Sequence, residues 1–421
     1  MWRIFLIIVF LVVIGLELMA FFTFRSFLKR KNVPLKWINI LTYIPYGLFI
    51  LPFIFILISG SKLTDLPDWL YTIYIIPFYI FTAANFLIGL YLLVGKIIKL
   101  PFSLSSFIIN RFDKGKKWLE GFKKKKPVKK FDSSRRKFVT GAAAAVSGYA
   151  FLGSAIAVSG KDDYEITERE IKIDNLPAAL KGTTITMVCD LHSGPYMPED
   201  IMHHYADIVN DLKSDMVVIP GDLTNSDTSE AYPFARAFRD VKAKHGVFAT
   251  LGNHDYFSDP NYVANVVRDE TPIRLLRNES LVIEKDGEKL ALLGVEDNRR
   301  SNSDYDPLII QNINNTVKGA VDNIESYDKL PKLMLYHKPY FAPAISKHNI
   351  DLLFSGHTHG GQVVLAKFGN LNISPAATVS KYISGLYKEG KTQMYVSRGV
   401  GVVGLPLRLN CPPEITKFTL T

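Results

Sequence analysis

Seven side chains able to ligate metal fall in five short fragments of this chain. They are Asp190-Leu191-His192, Gly221-Asp222, Gly252-Asn253-His254-Asp255, Tyr336-His337-Lys338-Pro339 and Gly356-His357-Thr358-His359-Gly360-Gly361. Imidazole nitrogens and carboxylate or amide oxygens are donors that zinc, manganese and iron all accept. Two such ions need about seven donors between them, and a bridging carboxylate to keep the ions about 3.5–4 Å apart, close enough to act on one phosphate. Asp222, alone after a glycine, is placed to be that bridge. Five of the nine histidines lie in these fragments, so the chemistry suggested is two-metal hydrolysis.

Each fragment follows an apolar run with the length of a buried strand in a parallel sheet: 185–188, 216–219, 247–251, 333–336 and 350–354. The donors then collect beyond the carboxyl ends of the strands, at one edge of the sheet, where open α/β sheets carry their sites. Helical periodicity over 198–212, 230–242 and 306–324 supplies the crossovers that parallel strands require. Asp286-Gly287, between the apolar stretches 281–284 and 289–293, predicts a tight hairpin, so antiparallel strands join the parallel ones.

In order and spacing, Asp-x-His, Gly-Asp, Gly-Asn-His-Asp, a separate His and Gly-His-x-His resemble the calcineurin-like metallophosphoesterases, over roughly 166–421. The resemblance implies an α/β fold of two mixed β-sheets flanked by helices, and two divalent ions (Zn, Mn or Fe). By position, Asp190, His192, Asp222 and His359 would hold the first ion, and Asp222, Asn253, His337 and His357 the second. A hydroxide bridging the ions would attack phosphorus in line, with no covalent enzyme intermediate. His254 would give the leaving alkoxide its proton, and Asp255 would orient His254. The chain departs from many relatives at Cys189, where they carry a small hydroxyl residue; Cys189 reads as a buried strand residue and not a ligand.

The stretches Asp190-Leu191-His192-Ser193-Gly194-Pro195, Gly404-Leu405-Pro406 and Asn410-Cys411-Pro412-Pro413-Glu414 are most similar to a branch of bacterial, often exported or membrane-associated phosphodiesterases. That branch includes enzymes similar to those cleaving nucleotide-activated lipid precursors. The resemblance implies hydrolysis of a phosphodiester or pyrophosphate in a phosphorylated small molecule or lipid. Two other readings compete: a phosphoprotein or phosphomonoester phosphatase, and a non-catalytic membrane sensor of phosphorylated ligands.

The other histidines read as structural. His203 and His204 sit in the amphipathic stretch 198–212 on a solvated helix face, His245 precedes a glycine at a helix end, and His348 lies in a short connection. Cys189 and Cys411 are the only cysteines, too few for a disulfide framework and wrongly spaced for structural zinc.

The formal charge of +10 is unevenly spread. The first 160 residues hold 22 Lys and Arg against 6 Asp and Glu, whereas the remainder holds 28 against 34. An acidic catalytic half argues against a nucleic-acid groove, which would need a basic face.

The basic part is also the apolar part. Residues 1–28, 37–59 and 69–94 are each long enough to cross a bilayer, which takes about 20 residues, so 1–95 reads as three transmembrane helices. Pro45, Pro52 and Pro77 are tolerated in such spans. Cations crowd 25–36 and 96–137, the latter including Lys123-Lys124-Lys125-Lys126, so both stretches are placed in the cytoplasm and the amino terminus outside. Residues 96–137 then form a basic cytoplasmic linker, in which Trp118, Leu119 and Phe122 make either an interfacial helix or part of a solvated connection.

A fourth apolar segment, 138–160, follows Ser134-Arg135-Arg136-Lys137 and resembles a twin-arginine export signal set inside a chain, which would make the export machinery a partner. The alternative is an ordinary fourth span. Both put 161–421, the metallophosphoesterase domain, on the extracytoplasmic side of a multi-pass membrane protein. Ala155-Ile156-Ala157 has the small-x-small form of a cleavage site, a form also common in any alanine-rich stretch. If the arginine pair directs export, changing Arg135 and Arg136 together to lysine should abolish protease accessibility, on intact cells or spheroplasts, of a tag fused after Thr421; undiminished accessibility would sink that reading.

Overall fold

The computed structural model describes residues 2–59, 67–124, 126–297, 306–368, 371–378 and 380–421. The chain divides into two compact units, Met1–Val158 and Ser159–Thr421.

The first unit is helical: Trp2–Arg30, Leu35–Ser59, Ile76–Ile109, Asp113–Lys124 and Lys126–Ser159. Among the described residues, four stretches are long and apolar enough to cross a membrane: Phe10–Arg30, Leu35–Phe55, Tyr71–Ile109 and Gly141–Ser159. Pro77 cannot donate a backbone hydrogen bond, and a π-helical turn, Tyr71–Ile75, leads into it. The described part of 96–137 is largely helical, and the third span continues through Pro101 to Ile109. Arg25 ties the first two helices together, donating to Thr42 and Asn39 at 3.1 and 2.9 Å. Leu16 lies so close to Gly89 that a Cβ there would overlap it, which sets the approach of the first and third of these stretches.

The second unit contains two mixed sheets. In chain order its strands are β1 Glu165–Ile171, β2 Thr184–Met187, β3 Met216–Pro220, β4 Val247–Thr250, β5 Ile273–Leu275, β6 Glu279–Lys285 and β7 Glu288–Val295. After them come β8 Lys332–Tyr336, β9 Leu352–Ser355, β10 Ala366–Phe368, β11 Leu371–Ile373, β12 Gly385–Glu389, β13 Thr392–Val396 and β14 Glu414–Leu420. One sheet runs β1-β14-β2-β3-β4-β5 and the other β12-β13-β9-β8-β7-β6, with β10 and β11 as a separate pair. Within the first sheet β2, β3, β4 and β5 are parallel, and within the second β7, β8, β9 and β13 are. The Asp286-Gly287 hairpin forms as expected, β6 against β7, with both turn residues at positive φ (50° and 83°) as a type I′ turn requires.

Three apolar layers account for the arrangement. Between the sheets lie Ile185, Met187, Met216, Val218 and Phe418 from one side and Leu292, Leu333, Leu335, Leu352 and Phe354 from the other. Helices Glu199–Asp211, Ala231–Ala237 and Pro260–Glu270 cover the outer face of the first sheet. Helix Pro307–Asn323 and the turn Ala342–Ile345 cover the second. The helical pattern over 230–242 is cut short at Ala237, where the chain turns and buries both Phe238 and Val241.

Phe418 of β14 packs on Phe354 of β9 and Tyr395 of β13 at ring-centroid distances of 5.3 and 5.0 Å, joining the two sheets through one side chain. Phe418→Ala should therefore destabilise this unit by about 3–5 kcal/mol. The check is the denaturant midpoint of the full-length protein in detergent, where a loss below about 1 kcal/mol would show that the ring does not join the sheets.

Candidate dinuclear metal centre

All five fragments emerge at carboxyl ends of strands. Those after β2, β3 and β4 carry Asp190 and His192, Asp222, and Asn253; those after β8 and β9 carry His337, then His357 and His359. The donors gather where the ends of two sheets meet, and not along a single sheet edge.

Sharp turns bring them inward. Asp190, His192, Asp222, His357 and His359 have φ of 54°, 50°, 54°, 72° and 49°. Five of the seven donors thus sit in the left-handed region, at a cost of about 1–3 kcal/mol each. Space is also reserved for the carboxylates: a Cβ on Gly252 would overlap that of Asp222, and one on Gly356 that of Asp190.

Two adjoining groups of donor atoms result. Asp190, His192 and His359 form one, and Asp222, His337 and His357 another. Asp222 Oδ2 is 3.5 Å from His192 Nε2 and 2.9 Å from His337 Nε2, so its carboxylate spans both. His192 Nε2 and His359 Nε2 stand 3.0 Å apart. Two imidazoles bound about 2.1 Å from one ion stand about 3.0–3.4 Å apart at ordinary coordination angles. The Asn253 Oδ1 is buried without a hydrogen-bond partner, and His337 Nε2 makes no well-directed hydrogen bond despite its nearness to Asp222. Orphaned donors of these types, at these separations, fit a pair of divalent cations.

The electrostatics agree. Burial drives His192 and His357 well below the usual imidazole range and His359 down to about 4, so these rings are neutral donors at pH 7. Burial would raise the Asp222 carboxyl, but the imidazoles of His337, His254 and His192 outweigh it and hold the carboxyl well below its ordinary range. At His337 burial opposes charge, yet Asp222 and Asp190 push the ring up to about 10. Negative charge is thus concentrated where a cation belongs.

Tautomers are set from behind. His337 Nδ1 donates to the Pro220 carbonyl (2.8 Å) and His359 Nδ1 to that of Gly401 (3.2 Å), leaving each Nε2 facing the donor groups.

His254 adjoins the site, with a ring nitrogen in a third group with His192 and Asp222. Its ring stands edge-on to His192 and packs against Phe257, each at a centroid distance of 4.5 Å. Nδ1 donates to the Asn225 carbonyl at 2.6 Å. The Glu230 carboxylate holds that loop by accepting from the backbone N–H groups of Asn225, Ser226 and Asp227 at 3.0, 2.7 and 2.9 Å.

Asp255 is engaged elsewhere. Its carboxylate accepts from the backbone N–H groups of Gly252, Leu223 and Thr224 at 2.9, 3.3 and 2.8 Å, and from the Thr224 hydroxyl. Burial and the nearby Asp222 raise it to about 6. It ties the β4 fragment to the β3 fragment, and the Asn225 carbonyl orients His254.

Asn225 shows no sign of its role in the sequence, because a backbone carbonyl leaves no signature. It did offer Lys338, beside His337, which pairs with buried Asp297 at 3.2 Å, and Cys189, whose thiol donates to Asp190 Oδ2 at 3.0 Å. Among the other histidines, His203 lies exposed 3.8 Å from Glu199, and His348 Nε2 is 2.9 Å from Asn314 Oδ1.

Comparison with known proteins follows the same lines. Residues 183–361 match the calcineurin-like phosphoesterase family model. The chain is 29% identical over 301 residues to the uncharacterized metallophosphoesterase YkuE of Bacillus subtilis, spanning 68% of this chain and 97% of that protein. It is 28% identical to the phosphodiesterase YaeI of Escherichia coli, over 56% of this chain and 81% of that one. It is 27% identical to a transmembrane protein with metallophosphoesterase domain from Danio rerio, over 61% of this chain and 57% of that protein.

If the two groups hold separate ions, His359→Ala and His357→Ala should each leave one of two ions after dialysis, whereas Asp222→Asn should weaken both. Elemental analysis of the purified variants checks this, and equal retention of two ions in all three would remove these residues from the ligand set.

Proposed function

From the calcineurin-like phosphoesterase domain that this chain carries, a metal-dependent hydrolase, we propose a membrane-anchored dinuclear phosphoesterase that cleaves phosphodiester or pyrophosphate bonds, with lipid-linked substrates as its natural class. One observation carries the reading: the Asp222 carboxylate lies between the two donor groups, 3.5 Å from His192 and 2.9 Å from His337, and His254, itself outside the proposed ligand set, stands against them.

Bound together, two divalent ions would supply an acidified water and neutralise charge on the phosphoryl oxygens. Asp190, His192, Asp222 and His359 would hold one ion, and Asp222, Asn253, His337 and His357 the other. Their strained turns and carbonyl-backed imidazoles keep the donors preorganised. His254, anchored at Nδ1 by Asn225, presents Nε2 as the atom that passes a proton to the departing oxygen. Its partial exposure lets it recover that proton from solvent.

The lipid-linked class rests on the four apolar stretches, which would keep the domain at a bilayer, and on the likeness to a phosphodiesterase and to a transmembrane relative. The cation-rich 25–36 and 96–137 favour placing the catalytic domain on the extracytoplasmic side.

Chelated full-length protein resupplied with manganese or zinc should hydrolyse an aryl phosphodiester faster than the matching monoester. The reverse preference would favour a monoester or phosphoprotein phosphatase, and ions bound without turnover of either would favour a sensor. His254→Ala should keep both ions and lose on the order of 10²–10⁴-fold in turnover. Loss of an ion in that variant would make His254 a ligand and end its assignment as proton donor.

A further inference from the structure

The segment between β13 and β14 lies directly behind the first donor group. The Gly401 N–H donates to the Asp190 carbonyl at 2.7 Å, and the Val400 N–H to that of Cys189 at 3.0 Å. The Gly401 carbonyl in turn accepts from His359 Nδ1. Gly399, at φ +63°, has no room for a Cβ because the Asp190 side chain fills that space. One short stretch therefore sets both the backbone of Asp190 and the ring of His359.

The stretch lies outside the strands and helices; the Glu414 N–H at the start of β14 donates to the Gly399 carbonyl at 3.1 Å, and a buried guanidinium gathers its carbonyls. Arg408 is 4% exposed. Its Nη2 donates to the carbonyls of Gly401 (2.5 Å), Arg398 (2.9 Å) and Gly399 (3.1 Å), and its Nη1 to that of Cys411 (3.1 Å). These four partners are neutral carbonyls, and the carboxylate of Glu414 pairs instead with Arg398, at 3.2 Å. Burying a cation against neutral oxygens is costly. A lysine, with one nitrogen, could not reach the same set of carbonyls in a fixed plane.

We infer that Arg408 is a positioning residue for the first ion. It fixes the Gly401 carbonyl, which holds His359 with its proton on Nδ1 and its Nε2 lone pair toward Asp190 and His192. Arg408 touches neither ion nor substrate, and acts through His359. The inference rests on the two-ion reading of the site.

The test is a manganese titration of chelated, detergent-solubilised full-length protein, followed by electron paramagnetic resonance, which distinguishes an isolated ion from a coupled pair. Arg408→Met should weaken binding of the first ion by about 10–100-fold, the usual effect of losing a group that orients a ligand, and leave the second unchanged. Arg408→Lys should fall between, and carries the same comparison if Arg408→Met is not recovered folded. In a His359→Ala background either substitution should add little, because its route to the ion is gone. Equal weakening of both ions, no weakening of either, or full additivity with His359→Ala would overturn the assignment. Unaltered protein that binds a single ion would instead overturn the two-ion reading beneath it.

Discussion

Two carboxylates with almost no solvent around them, Asp190 at 0% and Asp222 at 1% exposure, are the constraint around which this domain is organised. A carboxylate left buried and unpaired costs several kcal/mol, so each must draw hydrogen-bond donors and positive charge toward itself. Asp190 draws the His357 N–H at 2.9 Å and Asp222 the His254 N–H at 2.8 Å. Each donor belongs to a different fragment from the carboxylate it serves. The bonds that make burial tolerable therefore also register four of the five loops in pairs, and His357 and Asp190 meet although 167 residues separate them.

The same constraint explains the strain. Five donors in left-handed turns would together cost about 5–15 kcal/mol at the usual 1–3 kcal/mol each, a load comparable to the whole stability of a domain. Such a backbone persists only where its surroundings over-determine it. Here the turns are fixed on one side by strands packed in a continuous core and on the other by the carboxylates. Cations bound to the folded form would repay part of that cost by mass action.

Much of this was legible in the sequence, for a physical reason. A donor reaches the end of a parallel sheet only by following a buried strand, so the apolar runs before Asp190, Asp222, Asn253, His337 and His357 marked both the strands and the side chains they deliver. That two sheets share the work was not visible in those runs, because a buried strand looks alike in either sheet. Asp255 shows where local reading ends. Next to His254 it looks like an orienting partner, but its oxygens are taken by amides of the β3 and β4 fragments, a tertiary arrangement with no sequence signature. The Gly401 carbonyl that seats His359 and the Arg408 beneath it escaped for the same reason. The helix expected to run to residue 242 stops at Ala237 because burial of Phe238 and Val241 overrides helical periodicity.

One device recurs with two outcomes. His337, His359 and His254 each donate Nδ1–H to a backbone carbonyl, so in all three the reactive atom is Nε2. What separates the proposed ligands from the proposed proton carrier is the surroundings of that atom. His337 and His359 are buried, and their Nε2 atoms lie 3.8 and 3.7 Å from Asp190 Oδ1, facing concentrated negative charge. His254 is partly exposed, with its ring against His192 and Phe257 and near the Asp222 carboxylate at the rim of the site. A ring without solvent cannot be reprotonated between turnovers, whereas one at the rim can. Depth thus separates the two rings proposed as metal donors from the one proposed as the acid.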